Sequence, residues 1–166
     1  MAFMHVILVE PEIPPNTGNI ARTCAATGTV LHLVEPLGFQ ISDRYLRRAG
    51  VDYWHLVDVR VHASWDQVPL DLRDPERLHL FTSHGGRVYS EVPYGPDDVL
   101  VFGRESTGLP DALLHQYPRA WRQIPMREGV RSLNLSNAVA IAVYEAFRQW
   151  NFPGLTRQRG DKRPES

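Results

Sequence analysis

Apolar residues fall in short blocks separated by Gly, Pro, Asn and Asp. The block His5-Val6-Ile7-Leu8-Val9 lacks polar alternation, which marks a strand covered on both faces. A Pro- and Gly-marked loop follows, then a helix expected over residues 17–27 and a second strand over 30–34. Beyond them the pattern predicts a short helix near 44–49, a weaker strand near 57–61 and a Pro-rich connection at 69–75. Strands over 78–82 and 99–102, a short helix opened by Pro110, a strand at 121–124 and a long helix over 134–150 complete the series. Strands alternating with helices at this spacing predict an α/β fold with a mostly parallel sheet and helices on both faces.

The long helix changes that picture. Ala138, Val139, Ala140, Ile141, Ala142 and Val143 are apolar with no polar stripe between them. A helix apolar nearly all round is buried on two sides, and in a small domain that points to a second subunit or to enclosure by its own chain. The length of 166 residues fits one domain, expected over 1–154, with a polar tail at 155–166.

Composition narrows the class without deciding function. At 43% hydrophobic and 22% charged, the chain has the profile of a globular protein. No apolar run approaches the roughly 20 residues of a membrane span, and the first ten residues lack a leader pattern, so a cytoplasmic protein is expected. Cys24 is single and lies in an Ala-rich helical stretch, where a buried inert thiol is the expectation. The seven histidines are scattered without Cys partners or an H-E-x-x-H spacing, so no metal is expected. With a net charge of −1, any nucleic-acid contact must be local. Candidate basic clusters are Arg44, Arg47 and Arg48; Arg127 and Arg131; and Arg157, Arg159, Lys162 and Arg163.

Several chemistries are excluded by spacing. Gly103 and Gly108 match a P-loop, but Leu109 and Pro110 stand where Lys and Ser or Thr must reach phosphate and magnesium. Neither a G-x-G-x-x-G after the first strand nor a G-x-S-x-G elbow is present. Three loops remain to be explained. The first, residues 14–22, gathers Asn16, Asn19 and Arg22 within about one helical turn of each other. That cluster can grip a phosphate or ribose, or it can be a capped helix start with Asn16 or Thr17 on the free amides. The second, residues 102–110, leaves the carboxyl end of a strand, where ligands collect in open α/β sheets. The third, residues 124–137, carries Ser132, Asn134, Ser136 and Asn137, more hydrogen-bonding capacity than one helix cap requires.

The segments EPEIPPNTGNIAR at 10–22, FGRESTGLP at 102–110 and IPMREGVRSLNLSNA at 124–138 resemble the three motifs of the SPOUT methyltransferases. Within that superfamily they are most similar to the minimal tRNA (cytidine/uridine-34) 2′-O-methyltransferases, which modify the wobble ribose of leucine tRNAs. The resemblance covers residues 3–154 and implies a deep trefoil knot at the carboxyl end, a homodimer, and S-adenosylmethionine held in the knot loops. It assigns the cofactor to Phe81, Thr82, Gly103, Ile124, Ser132 and Leu133, and catalysis to Arg22, Asn19, Glu105 and Asn134. The implied partner is the anticodon stem-loop of tRNA. Arg104 departs from the motif, where many relatives have a smaller or apolar residue. A ribose methyltransferase acting on another RNA position and a noncatalytic RNA-binding relative are the competing readings.

Overall fold

The computed structural model describes residues 4–41 and 54–157. The expected helix near 44–49, with Arg44, Arg47 and Arg48, lies outside them, as do Arg159, Lys162 and Arg163.

In chain order the elements are β1 (His5–Val9), α1 (Pro14–Thr27), β2 (Val30–Val34), β3 (Val59–His62), β4 (Leu78–Phe81) and β5 (Arg87–Val88). They continue with β6 (Val99–Phe102), α2 (Asp111–Gln116), β7 (Trp121–Gln123) and α3 (Leu135–Gln149). Seven strands form one sheet in the order β3-β2-β1-β6-β4-β7-β5, and every pairing is parallel.

The unalternating apolar blocks occupy the middle of this sheet, where successive residues are buried in two separate core clusters. Val6 and Leu8 of β1, Leu31 and Leu33 of β2, and Leu100 and Phe102 of β6 belong to one core with Ile20, Ala21 and Cys24 of α1 and Val139, Ala142 and Val143 of α3. The alternate residues Ile7, Val9, Val34, Leu80, Val99 and Val101 pack with Leu113 and Leu114 of α2 in a second core. Ile7, Leu8, Leu31 and Leu33 are fully buried, each contributing about 1.5–3 kcal/mol.

Helix α1 begins three residues before the expected start. Pro14 and Pro15 occupy its first turn, where a missing N–H costs nothing and φ is already helical. Gly28 closes it in the left-handed region at φ 72°. Burial raises the Cys24 thiol to about 12, so it is unreactive.

After β7 the chain returns so that α3 packs against α1. Most of the apolar surface of α3 is spent inside its own chain. Val139, Ala142, Val143, Ala146 and Phe147 are buried, whereas Ile141 and Tyr144 point outward at 37% and 42% exposure.

Candidate active site

The loops after β4, β6 and β7 and the start of α1 surround a cleft of about 830 Å³ at the carboxyl ends of the strands. This is where an open parallel sheet places a ligand, because loops diverge there. Phe81, Thr82, Gly103, Ile124, Ser132 and Leu133 all line this cleft, together with Glu105, Asn134 and Asn16. Asn19 and Arg22 do not; both are exposed on α1, one and two turns beyond Asn16.

The first two loops are tied together by carboxylates. One Glu105 oxygen accepts the Glu12 N–H at 2.9 Å; the other accepts the Ile13 N–H at 2.7 Å and Asn16 Nδ2 at 3.3 Å. Since the first amides of a helix have no partner within it, a carboxylate here also answers the positive end of the helix dipole. Asn16 is therefore not a cap, the role the sequence left open. It sits inside the first turn of α1 and links Glu105 to the third loop, its Oδ1 accepting from Asn134 Nδ2 at 3.1 Å.

Asn134 in turn caps α3. Its Oδ1 accepts from the Ser136 and Asn137 N–H groups at 2.9 and 3.3 Å and from the Ser136 hydroxyl at 2.5 Å. A continuous chain of polar groups thus runs from the second loop through α1 to the start of α3.

Two further contacts secure the second loop. Ser106 donates its N–H and hydroxyl to Glu12 Oε1 at 3.0 and 2.7 Å, which holds the Glu12 carboxyl below the usual carboxylate range. Arg104, the residue that departs from the motif, pairs with Glu10 at 2.7 Å. Glu10 adopts φ 56°, costly for a residue with a side chain. The ion pair and the Glu10 N–H bond to Val34 O at 2.9 Å hold it there.

Gly103 is required by its own loop. Arg104 and Gly108 exchange backbone hydrogen bonds at 3.0 and 2.9 Å, and a Cβ on Gly103 would lie 2.1 Å from the Gly108 carbonyl carbon. Filling this position collides with backbone before it reaches any ligand.

The cleft wall fits an adenosine-type cofactor in its chemistry. Phe81, stacked on Phe102 with ring centres 4.6 Å apart, contributes a buried apolar edge beside the half-buried Ile124 and Leu133. Thr82, Gly103 and Ser132 line the cleft beside them. Among the described residues, no group of three or more His, Cys, Asp or Glu side chains could hold a metal.

One polar cluster escaped the sequence reading. Asp98 accepts from His79 Nε2 at 2.7 Å, and Arg122 Nε donates to His79 Nδ1 at 2.9 Å. It joins the residue just before β6 to β4 and β7. Burial is the main reason His79 titrates below its ordinary range. Partners 19 and 43 residues apart leave no signal in the sequence.

The profile of the SpoU rRNA Methylase family matches residues 3–144, a span that contains the entire cleft. The chain belongs to this family. It is 51% identical over 152 residues to a tRNA (cytidine(34)-2′-O)-methyltransferase of Burkholderia ambifaria, covering 90% of this chain and 97% of that protein. A solved structure concerned with the 2-OH methylation of C/U34 on tRNA is 45% identical, with a TM-score of 0.84 over 90% of this chain and 97% of its own. The SpoU methyltransferase AviRb of Streptomyces viridochromogenes, solved in complex with the cofactor AdoMet, is 25% identical. Its TM-score is 0.77 over 90% of this chain and 61% of its own. In this SpoU protein the three motif loops are those that meet at the cleft.

Proposed function

We propose that this chain transfers a methyl group from S-adenosylmethionine to the ribose 2′-hydroxyl of the wobble nucleotide of tRNA, cytidine or modified uridine at position 34, with leucine isoacceptors as the substrate. The observation that carries this reading is the meeting of all three motif loops in one cleft, in a chain about half identical to the Burkholderia ambifaria enzyme. The proposal includes a cytoplasmic homodimer, helices on both sheet faces and a carboxyl-terminal trefoil knot. The parallel seven-stranded sheet and the likeness to SpoU methyltransferase structures support this architecture.

Phe81, Thr82, Gly103, Ile124, Ser132 and Leu133 would hold the cofactor. Bound S-adenosylmethionine supplies an electrophilic methyl carbon on a good leaving group. Alignment of the ribose oxygen is then the chief task of the protein. Glu105 and Asn134 act as braces, because their acceptor oxygens are already engaged by N–H and O–H donors. Arg22 is the group for the ribose and its phosphate. A guanidinium stays charged, so it stabilises developing negative charge while a phosphate oxygen or water takes the proton. Asn19 adds a neutral donor on the same helix face.

Incubation with labelled cofactor and bulk tRNA lacking 2′-O-methyl groups tests the reading. The label is expected on the ribose of nucleotide 34; label confined to another nucleotide, or none, overturns it.

A further inference from the structure

The cleft has an apolar rim that the cofactor reading does not use. Ile13 at the entry to α1 is 44% exposed, and Met126 and Val130 on the third loop are 36% and 54% exposed. All three line the same cleft. Apolar side chains of this size, left open to water around one opening, mark a surface covered by a partner. Arg127 and Arg131 stand between and beside Met126 and Val130, both exposed, against a single acid, Glu128. Among the described residues neither arginine enters an ion pair. The loop therefore offers two cations and two apolar side chains on one turn, bent at Gly129 with φ 90°. The cleft volume, about 830 Å³, lies in the upper part of the range of about 300–1,000 Å³ typical of small-ligand sites. It leaves room for a nucleoside beside the cofactor.

We infer that Ile13, Met126 and Val130 form the seat of the target nucleobase, swung out of its stack, and that Arg127 and Arg131 hold the phosphates flanking it. The inference rests on the RNA methyl-transfer reading and extends it to named substrate contacts. An unstacked base presents two apolar faces and needs flat or flexible apolar side chains to replace its stacking partners. The phosphates on either side lie within one nucleotide of it, so cations on the same loop match their spacing. A bulk net charge of −1 does not oppose this, because the attraction is local.

The test uses the full-length chain, S-adenosylmethionine and an anticodon stem-loop RNA. For Arg127→Ala/Arg131→Ala, RNA affinity should fall less steeply with salt. The log–log slope should drop by about 1.4, at about 0.7 per lost phosphate contact on a single strand. For Met126→Ser/Val130→Ser, the RNA dissociation constant should rise about tenfold, the scale of one lost base contact. Cofactor affinity by calorimetry should stay within about twofold in both. An unchanged salt slope in the arginine variant, or unchanged RNA affinity in the apolar variant, overturns the inference while leaving the methyl-transfer reading intact, provided the wild type labels nucleotide 34. Cofactor binding weakened in the apolar variant also overturns it, since those side chains would then belong to the cofactor seat. A wild type that methylates no tRNA overturns the underlying reading.

Discussion

Glu105 has both carboxylate oxygens turned toward N–H donors of the first loop. Glu105→Gln keeps the size but leaves an amide facing one of those donors. Bonds to charged groups contribute about 1.5–3 kcal/mol, and partial exposure reduces this to a loss of about 1 kcal/mol. Denaturant unfolding should register that loss, and calorimetry should show weaker cofactor binding, because the 10–16 segment loses its anchor. Arg22 should behave in the opposite way. Arg22→Ala should leave cofactor affinity within about twofold, since Arg22 does not line the cleft. Turnover on tRNA should fall about a hundredfold or more, the scale of removing one group that acts in the transition state. Arg22→Lys should restore turnover only in part, because an ammonium lacks the planar fork that grips a phosphate. Near wild-type turnover in Arg22→Ala would move the assignment to Asn19.

Across β1, β2 and β3 runs a line of three imidazoles. His5 Nδ1 meets His32 Nε2 at 2.8 Å, and His32 Nδ1 meets His62 Nε2 at 2.8 Å. Each contact holds one proton, supplied by either ring, and burial keeps the central ring neutral. Burial, followed by its two neighbours and Arg60, lowers His32 to about 3. His5 and His62 are also lowered, chiefly by burial, with Arg77 and Arg60 adding at His5 and Arg60 at His62. A histidine whose folded pKa is depressed costs nothing above its unfolded value near 6.5. Below it, the unfolded chain binds a proton the folded chain refuses. Stability should therefore fall as pH drops from about 6.5, by up to about 1.4 kcal/mol per unit for His32. His32→Gln keeps one donor and one acceptor without titrating there. Between pH 7 and 5.5 the wild type should lose about 1 kcal/mol more than this variant in denaturant unfolding. Equal losses would show that the ladder does not titrate as argued. Glu12, Glu145 and Asp58 have lowered values and act only at lower pH, so they do not confuse the comparison. The ladder was not legible beforehand, because its members lie 27 and 30 residues apart. Strands β1, β2 and β6 were legible, since their apolar blocks end at turn residues. Strand β5, two residues long with no pattern of its own, was not.

At the scale of the whole molecule, the three loops could be picked out from polar residues that capping and packing do not demand. Their convergence could not, because strand order leaves no trace in hydrophobic periodicity; the expected knot came from resemblance to a family. The apolar surface that α3 leaves open to a second subunit is small. The apolar run of α3 does not itself tell inward from outward positions, and Ala142, in its middle, is completely buried against α1 and the sheet. The outward apolar positions are Ile141 and Tyr144. Tyr144 borders a hollow of about 440 Å³ with Ala26 of α1 and Phe152, Leu155 and Arg157 of the segment after α3. A second copy packed on this face of α1 and α3 would also approach Asn19 and Arg22, which their own cleft does not include. Charges placed outward and inward should therefore act differently. Ile141→Glu/Tyr144→Glu should give a folded monomer by sedimentation, with helical content and unfolding midpoint close to wild type. Ala142→Glu should fail to fold, since an unpaired charge in a sealed core is strongly destabilising. If Arg22 works between two copies, the folded monomer should still bind S-adenosylmethionine and should lose most of its methyl transfer. A wild-type protein that sediments as a fully active monomer would remove both the dimer and this role for the face.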